Sequence, residues 1–354
     1  MDSSHLFLKA CRRQPVPRTP VWFMRQAGRY MQEYRELRSR HSLLELCRTP
    51  ELAAQVTLQP IEKLGVDAAI IFADLLLPVQ AMGMSLDFVE GEGPALSPPL
   101  RTAEDVRRLR SPQDGELDYV ADAVRIVCRE LDGKIPVIGF CGAPFTVASY
   151  MIEGGASRDF SKTKRFLYHQ PDLWQQLMGK LVKVLSEFLC SQVAAGAAAV
   201  QVFDSWVGCL SPQDYRHYVL PYSQQLIRRV SRTGVPVIHF GTGTATLLEL
   251  LREAAGDVIG PVIGIDWRIE MDEAWRRIGY DVAVQGNLDP AVLLGPPEII
   301  RREVERILRS VQGRPGHIFN LGHGILPFTP VENVQAVVAM VHGFSSEAKQ
   351  PESV

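Results

Sequence analysis

Eight short apolar runs recur along the chain, and a stretch of helical character follows each of them. They are Thr19 to Met24, Asp67 to Asp74, Ile135 to Gly142, Ala197 to Ser205, Val235 to Phe240, Val262 to Asp266, Asp281 to Gln285 and His317 to Leu321. Continuous apolar character over so few residues marks strands buried on both faces, as in a parallel sheet. The intervening stretches carry helix-start signals. Thr49-Pro50 opens a helix after a charged helical stretch from Tyr30 to Arg48, Thr102 caps another, and a third runs from about Leu117 to Leu131. A long helix begins near Pro171, and Ser211-Pro212, Asp289-Pro290 and Thr329-Pro330 open three more, with weaker signals near Thr244 and Glu270.

Eight strand–helix units close most naturally into an α/β (β/α)8 TIM barrel, here as one domain over residues 1–354. A doubly wound open sheet is the alternative. Its dinucleotide fingerprint is missing, because Gly241-Thr242-Gly243 has no glycine at the third required position. Residues 75–100, with Glu90-Gly91-Glu92-Gly93-Pro94, read as a long βα loop suited to a lid or a dimer contact. A short polar tail follows Phe344.

Composition narrows the class without naming a chemistry. Hydrophobic residues at 46% and charged residues at 22% of 354 fit a globular chain with a large core. A net charge of −2 gives no support to a nucleic-acid or anionic-membrane partner, so an anionic ligand would need locally concentrated arginine. No apolar stretch is long enough to span a bilayer, and Met1-Asp2-Ser3-Ser4-His5 lacks the marks of a secretory signal. The six cysteines are scattered with no C-x-x-C pair, which points to a reducing cytoplasm.

In a barrel, chemistry sits at the carboxyl ends of the strands. The first run is followed by Met24-Arg25-Gln26-Ala27-Gly28-Arg29-Tyr30, which places two fixed cations beside a glycine. Arg25 and Arg29 can share one face of a helical turn or converge from a loop on a ligand with several carboxylates. Against this stands a solvated helix start with ion pairs to Glu33 and Glu36. Gly28 allows an unusual backbone conformation or close ligand approach. Asp74 ends an uncharged run, so desolvation should raise its pKa unless a donor or cation holds it ionised. It would otherwise be a helix cap or an ion-pair partner.

The other strand ends supply further candidates. Tyr150 follows the third run and fits packing as well as contact, while Ser205 lacks a G-x-S-x-G context and suits hydrogen bonding better than nucleophilic attack. His239 reads as a satisfied core histidine, and Asp266-Trp267 and Asn287-Leu288-Asp289-Pro290 as supporting or capping devices. Asn320-Leu321-Gly322-His323-Gly324 flanks its histidine with glycines, which suits close approach to a ligand. No His, Cys and carboxylate cluster has metal-ligand spacing.

Taken together, Met24 to Tyr30, Ile71-Phe72-Ala73-Asp74, Gly139-Phe140-Cys141-Gly142-Ala143-Pro144-Phe145-Thr146, Gln285 to Pro290 and Asn320 to Gly324 closely resemble the uroporphyrinogen decarboxylase family. The match runs in order over nearly the whole chain. The resemblance implies a (β/α)8 homodimer in the cytoplasm that removes carbon dioxide from each acetate side chain of uroporphyrinogen III. The product is coproporphyrinogen III, on the route to haem and related tetrapyrroles, with neither cofactor nor metal. It further implies that Arg25 and Arg29 clamp carboxylates, with Gln26, Ala27 and Gly28 completing the loop around the substrate. Asp74 is implied to bind the pyrrole NH groups and stabilise a cationic intermediate, while Tyr150, Ser205 and His323 match the remaining substrate contacts. Some relatives carry Glu where Asp204 stands, so an acid is kept there.

The implied chemistry needs an electron sink, which a protonated pyrrole supplies in place of a cofactor. An ionised Asp74 would favour that cation over the neutral ring. Arg25 or Arg29 would hold the leaving carboxylate or relay a proton, although a free arginine is a poor acid. Two rivals remain. A zinc-dependent corrinoid or coenzyme M methyltransferase on the same barrel needs His-x-Cys and a later Cys, but Phe240-Gly241 follow His239 and no cysteine lies beyond Cys209. A non-catalytic tetrapyrrole carrier would bind with the same residues and turn nothing over.

Overall fold

Seven of the eight apolar runs form one parallel sheet, in the order β1-β4-β5-β6-β7-β8-β9. The strands are β1 (Ala69–Ile70), β4 (Val137–Gly142), β5 (Ala199–Asp204), β6 (Val237–Gly241), β7 (Pro261–Gly264), β8 (Ala283–Leu288) and β9 (His317–Leu321). The molecule, a computed structural model, is described over residues 5–89, 93–256, 258 and 260–347. The first run closes the barrel between β9 and β1 but is reduced to a single bridge from Val21 to Phe319. On one side Phe319 N donates to Pro20 O at 2.9 Å and Trp22 N to Phe319 O at 3.3 Å; on the other, Asp67 N donates to Val21 O at 2.8 Å.

Asp67 secures this seam. Its carboxylate accepts from Arg18 at 2.6 and 2.8 Å, from Val21 N at 2.9 Å and from His342 at 3.0 Å. Burial pushes the pKa of Asp67 up, but His342, Arg18 and the Val21 amide outweigh it and hold the carboxyl below its usual value. His342 lies on the helix Val331–Glu347, which extends beyond Phe344, where a polar tail was expected. Residues 348–354 lie outside the described residues.

Side chains from alternate strands meet in the barrel interior. Trp22 donates to Gln285 at 3.0 Å, and Gln285 on β8 donates to Gln201 on β5 at 3.0 Å, so two non-adjacent strands join across the centre. The outer layer is helical, and its starts follow the sequence signals. Pro50–Leu64 ends at Gly65 with φ 72°, a left-handed cap that glycine adopts at low cost. Thr102 and Asp105 form a capping box for Ala103–Arg108.

Two departures affect the top of the barrel. Residues 30–48, expected as one helical stretch, form two helices, Gln32–Arg38 and Leu43–Arg48. Residues 75–100, expected as a loop, hold a short helix Leu77–Ala81 and an antiparallel hairpin of β2 (Ser85–Val89) and β3 (Gly93–Ser97). The signal was present in Ser85-Leu86-Asp87-Phe88, which alternates polar and apolar at strand period. Its tip, Glu90 to Glu92, lies outside the described residues.

Candidate active site

Residues 24–31 form turns, not a helix, so Arg25 and Arg29 leave the first strand from a loop. The shape of this loop is set from within. Gln26 is fully buried; its Oε1 accepts from Phe23 N at 3.1 Å and its Nε2 donates to Ala68 O at 3.1 Å. Tyr30 closes the turn by donating to Gln26 O at 2.6 Å. Gln26 therefore spends its side-chain amide on the fold and serves the loop through the backbone it fixes. Ala27 packs in part against the core.

Gly28 also differs from expectation. The left-handed residue of the loop is Arg25, with φ 58°, whereas Gly28 does not take a positive φ. A Cβ at 28 would sit 3.2 Å from the Arg25 carbonyl oxygen, a tight approach that glycine avoids. Arg25 thus occupies a backbone conformation that L-residues avoid, at a cost of order 1 kcal/mol that the surrounding contacts offset.

The ion pairs expected for a merely solvated helix start do not form. Glu33 pairs with Lys63, and Glu36 accepts from Gln32 at 2.9 Å. Both Arg25 and Arg29 are exposed, and neither guanidinium takes part in a hydrogen bond or ion pair among the described residues.

Arg25 stands at the centre of the charged groups. Asp74, half-buried beyond the end of β1, accepts from Leu76 N at 2.8 Å. Burial pushes its pKa up to about 6, against the pull of that amide and of the Arg25 charge. Tyr150, on the helix Pro144–Glu153, is pushed up to about 12 by burial and by the charge of Asp74. His323 is driven down to about 4 by burial, then by Arg25 and Arg268, with Asp266 opposing. The Arg25 charge acts on all three. Arg29 lies to one side, where its charge bears on Tyr34.

The glycines around His323 serve the protein. A Cβ on Gly324 would fall 2.7 Å from Arg25 Cγ, so the arginine stem lies across that residue. A Cβ on Gly322 would fall 3.0 Å from the Asp266 carbonyl carbon, against the Asp266–Trp267 peptide. Close approach to a ligand was the expectation; the groups that approach these two glycines are Arg25 and the Asp266–Trp267 peptide.

Ser205 follows Asp204 at the end of β5 and is half-buried. Thr146 fixes this turn, donating to Asp204 Oδ1 at 2.8 Å and accepting from Trp206 N at 3.3 Å. Trp206 in turn meets the Tyr150 ring edge-on at 5.7 Å. The two contact candidates Tyr150 and Ser205 are therefore tied to one another. His239 is buried behind the sheet with Nε2 3.6 Å from Asp204 Oδ2, and neither ring nitrogen has a hydrogen-bond partner among the described residues. It is not the satisfied core histidine expected. Asn287 donates to Asp266 O at 3.0 Å and Ile269 O at 2.7 Å, and Asp289 caps the turn at Pro290. Both are supports, as their sequence context suggested.

The site therefore offers cations beside a partly desolvated acid, with aromatic and imidazole donors facing them. A family model described as Uroporphyrinogen decarboxylase (URO-D) matches residues 2–344. A uroporphyrinogen decarboxylase of Solibacter usitatus is 58% identical over 338 residues, covering 96% of this chain and 97% of that protein. Another from Sorangium cellulosum is 56% identical over 348 residues, covering 98% of each. Among solved structures, a methyltransferase from Methanosarcina mazei superposes with a TM-score of 0.78 at 21% identity, over 96% of this chain and 97% of that one. That likeness is one of fold. Identity above one half across nearly the full length carries more weight, and by it the chain belongs to the uroporphyrinogen decarboxylase family.

Proposed function

We propose that the chain removes carbon dioxide from the acetate side chains of uroporphyrinogen III, giving coproporphyrinogen III, with Asp74 and Arg25 at the reacting ring. The observation that carries the assignment of residues is the one acid at the strand ends whose charge is both desolvated and faced by a free arginine. A pyrrole protonated on the carbon beside its acetate becomes a delocalised cation. Loss of carbon dioxide returns the electron pair to the ring, and a proton taken up on the exocyclic carbon leaves a methyl group. Ionised Asp74 attracts that cation more strongly than the neutral pyrrole, which is selective binding of the charged state. Arg25 and Arg29 hold carboxylates, Ser205 and Tyr150 donate hydrogen bonds to the substrate, and the loop of Gln26, Ala27 and Gly28 shapes the wall. His323 contacts it with a neutral ring.

The chain works without metal or cofactor in this reading, as a cytoplasmic homodimer. No helix among the described residues is long and apolar enough to cross a membrane, and a particle of twice the 39.4 kDa chain mass in light scattering is the expected result. The methyltransferase alternative lacks its ligands: no group of three or more His, Cys, Asp or Glu among the described residues is placed to hold a metal ion. The carrier alternative is decided by turnover. Metal-stripped protein incubated anaerobically with uroporphyrinogen III should give a ladder of products ending at coproporphyrinogen; unchanged substrate bound to folded protein would favour the carrier.

The packing of Arg25 on Gly324 gives a separate test. In Gly324→Ala the new methyl displaces the arginine stem. The expected result is a fall in kcat/KM of about tenfold, equivalent to the loss of one well-placed interaction. Gly313, where a Cβ meets nothing within 4 Å, provides the control as Gly313→Asn, a residue that tolerates its φ of 66°.

A further inference from the structure

The turn after β7 carries a third arginine that the sequence did not single out. Asp266 is buried, and its Oδ2 accepts from Gly243 N and from Arg268 Nη1, both at 2.6 Å, while its Oδ1 accepts from Arg268 N at 3.2 Å. The Arg268 guanidinium also lies 3.9 Å over the Trp267 ring. One edge of this cation is thus fixed, yet its side chain remains 48% exposed with most of its donors unused.

The position of this arginine is set by glycine packing. The Asp266–Trp267 peptide presses on Gly322, and Arg25 lies across Gly324, so His323 is flanked by the first-strand loop and the turn after β7 and feels the charges of both Arg25 and Arg268. His323 Nδ1 accepts from Gly324 N at 2.7 Å. A neutral ring that accepts at Nδ1 carries its proton on Nε2 and donates there. Two guanidinium groups and one N–H around a single histidine are the complement of a carboxylate.

We propose that Arg268 is a further substrate-binding residue, which with Arg25 and His323 cradles one of the carboxylates of the tetrapyrrole that does not react. The inference rests on the decarboxylase reading above. The cradle is built around His323 from the Arg25 stem on Gly324 and the Asp266-held Arg268, and Asp74 is no part of it, so the carboxylate it takes is a retained one. An anchor of this kind acts equally on substrate and on the activated state, so it governs KM and leaves kcat alone.

The test is steady-state kinetics of the full chain on uroporphyrinogen III under anaerobic conditions. Arg268→Gln should raise KM about tenfold with kcat within about twofold, the loss of one charge-assisted contact. Because this variant also frees a buried carboxylate, the double variant Asp266→Asn with Arg268→Gln removes both charges and should show the same rise. A KM within about twofold of wild type in either folded variant overturns the proposal, as does a fall in kcat at unchanged KM, the mark of a purely structural role. Wild-type protein that forms no product would refute the decarboxylase reading itself; wild-type turnover with an unmoved KM in the variants refutes only the cradle.

Discussion

Asp74→Asn is expected to lower kcat/KM by about 100-fold or more while making the folded protein more stable at neutral pH. The two effects share one cause. The Asp74 carboxyl is neutral more readily in the folded chain than in the unfolded one, because burial raises its pKa from 3.8 to about 6. A group with a raised folded pKa contributes stability that is complete below its unfolded value and is lost as pH rises through the folded one. The wild-type protein therefore loses stability from about pH 4 to 6, and asparagine, neutral throughout, does not. Melting curves at pH 5 and 8 test this: the gap between variant and wild type should open at the higher pH. Activity should run the opposite way, with kcat/KM of the wild type falling as pH drops through about 6. A fall above pH 6 instead would make the protonated carboxyl the working form, and Asp74 the acid that protonates the ring. Near-normal turnover by the asparagine variant would remove Asp74 from the chemistry altogether.

Arg25→Ala should cost about 100-fold in kcat/KM, and Arg29→Ala distinctly less. The arginines are equivalent in sequence but not in position. Arg25 bears on Asp74, Tyr150 and His323, whereas Arg29 bears on Tyr34 at the margin. Loss of Arg25 removes the proposed carboxylate clamp and also a cation that lowers the pKa of Asp74. The acid limb of the pH profile should therefore move to higher pH in Arg25→Ala and remain in place in Arg29→Ala. Equal losses in the two variants, with no movement of the limb, would show that the loop acts only as a general basic patch.

What could be read from sequence follows from what each signal encodes. Buried parallel strands are largely apolar on both faces, so runs such as Ile135 to Gly142 and Ala197 to Ser205 announce the strands Val137–Gly142 and Ala199–Asp204 by composition. The arginines of the first loop were legible because fixed charge beside a buried strand demands a reason. Gln26 was not, since a buried amide that completes a turn and a ligand-facing amide have the same letters around them. Arg268 was hidden for a related cause: Asp266-Trp267-Arg268 looks like an ordinary charged helix approach until Gly322 brings its turn against the loop that carries His323. The five-residue π-helix at Tyr215–Val219 left no mark at all, because the fold and not the local sequence imposes it.

The seam between the first strand and β9 also fixes when the site comes into being. Met24 N donates to Asn320 Oδ1 at 3.2 Å, and Ile325 N donates to Met24 O at 3.0 Å, so the backbone that aims Arg25 is held by residues made nearly three hundred positions later. During synthesis the arginine loop is made well before β9 and is without these partners until that strand has followed it. A nascent or stalled chain that stops short of β9 holds Asp74, Tyr150 and Ser205 but has no means of setting Arg25 among them. The backbone that aims Arg25 is thereby completed only when β9 is in place, so the last strand of the barrel governs the assembly of the first loop.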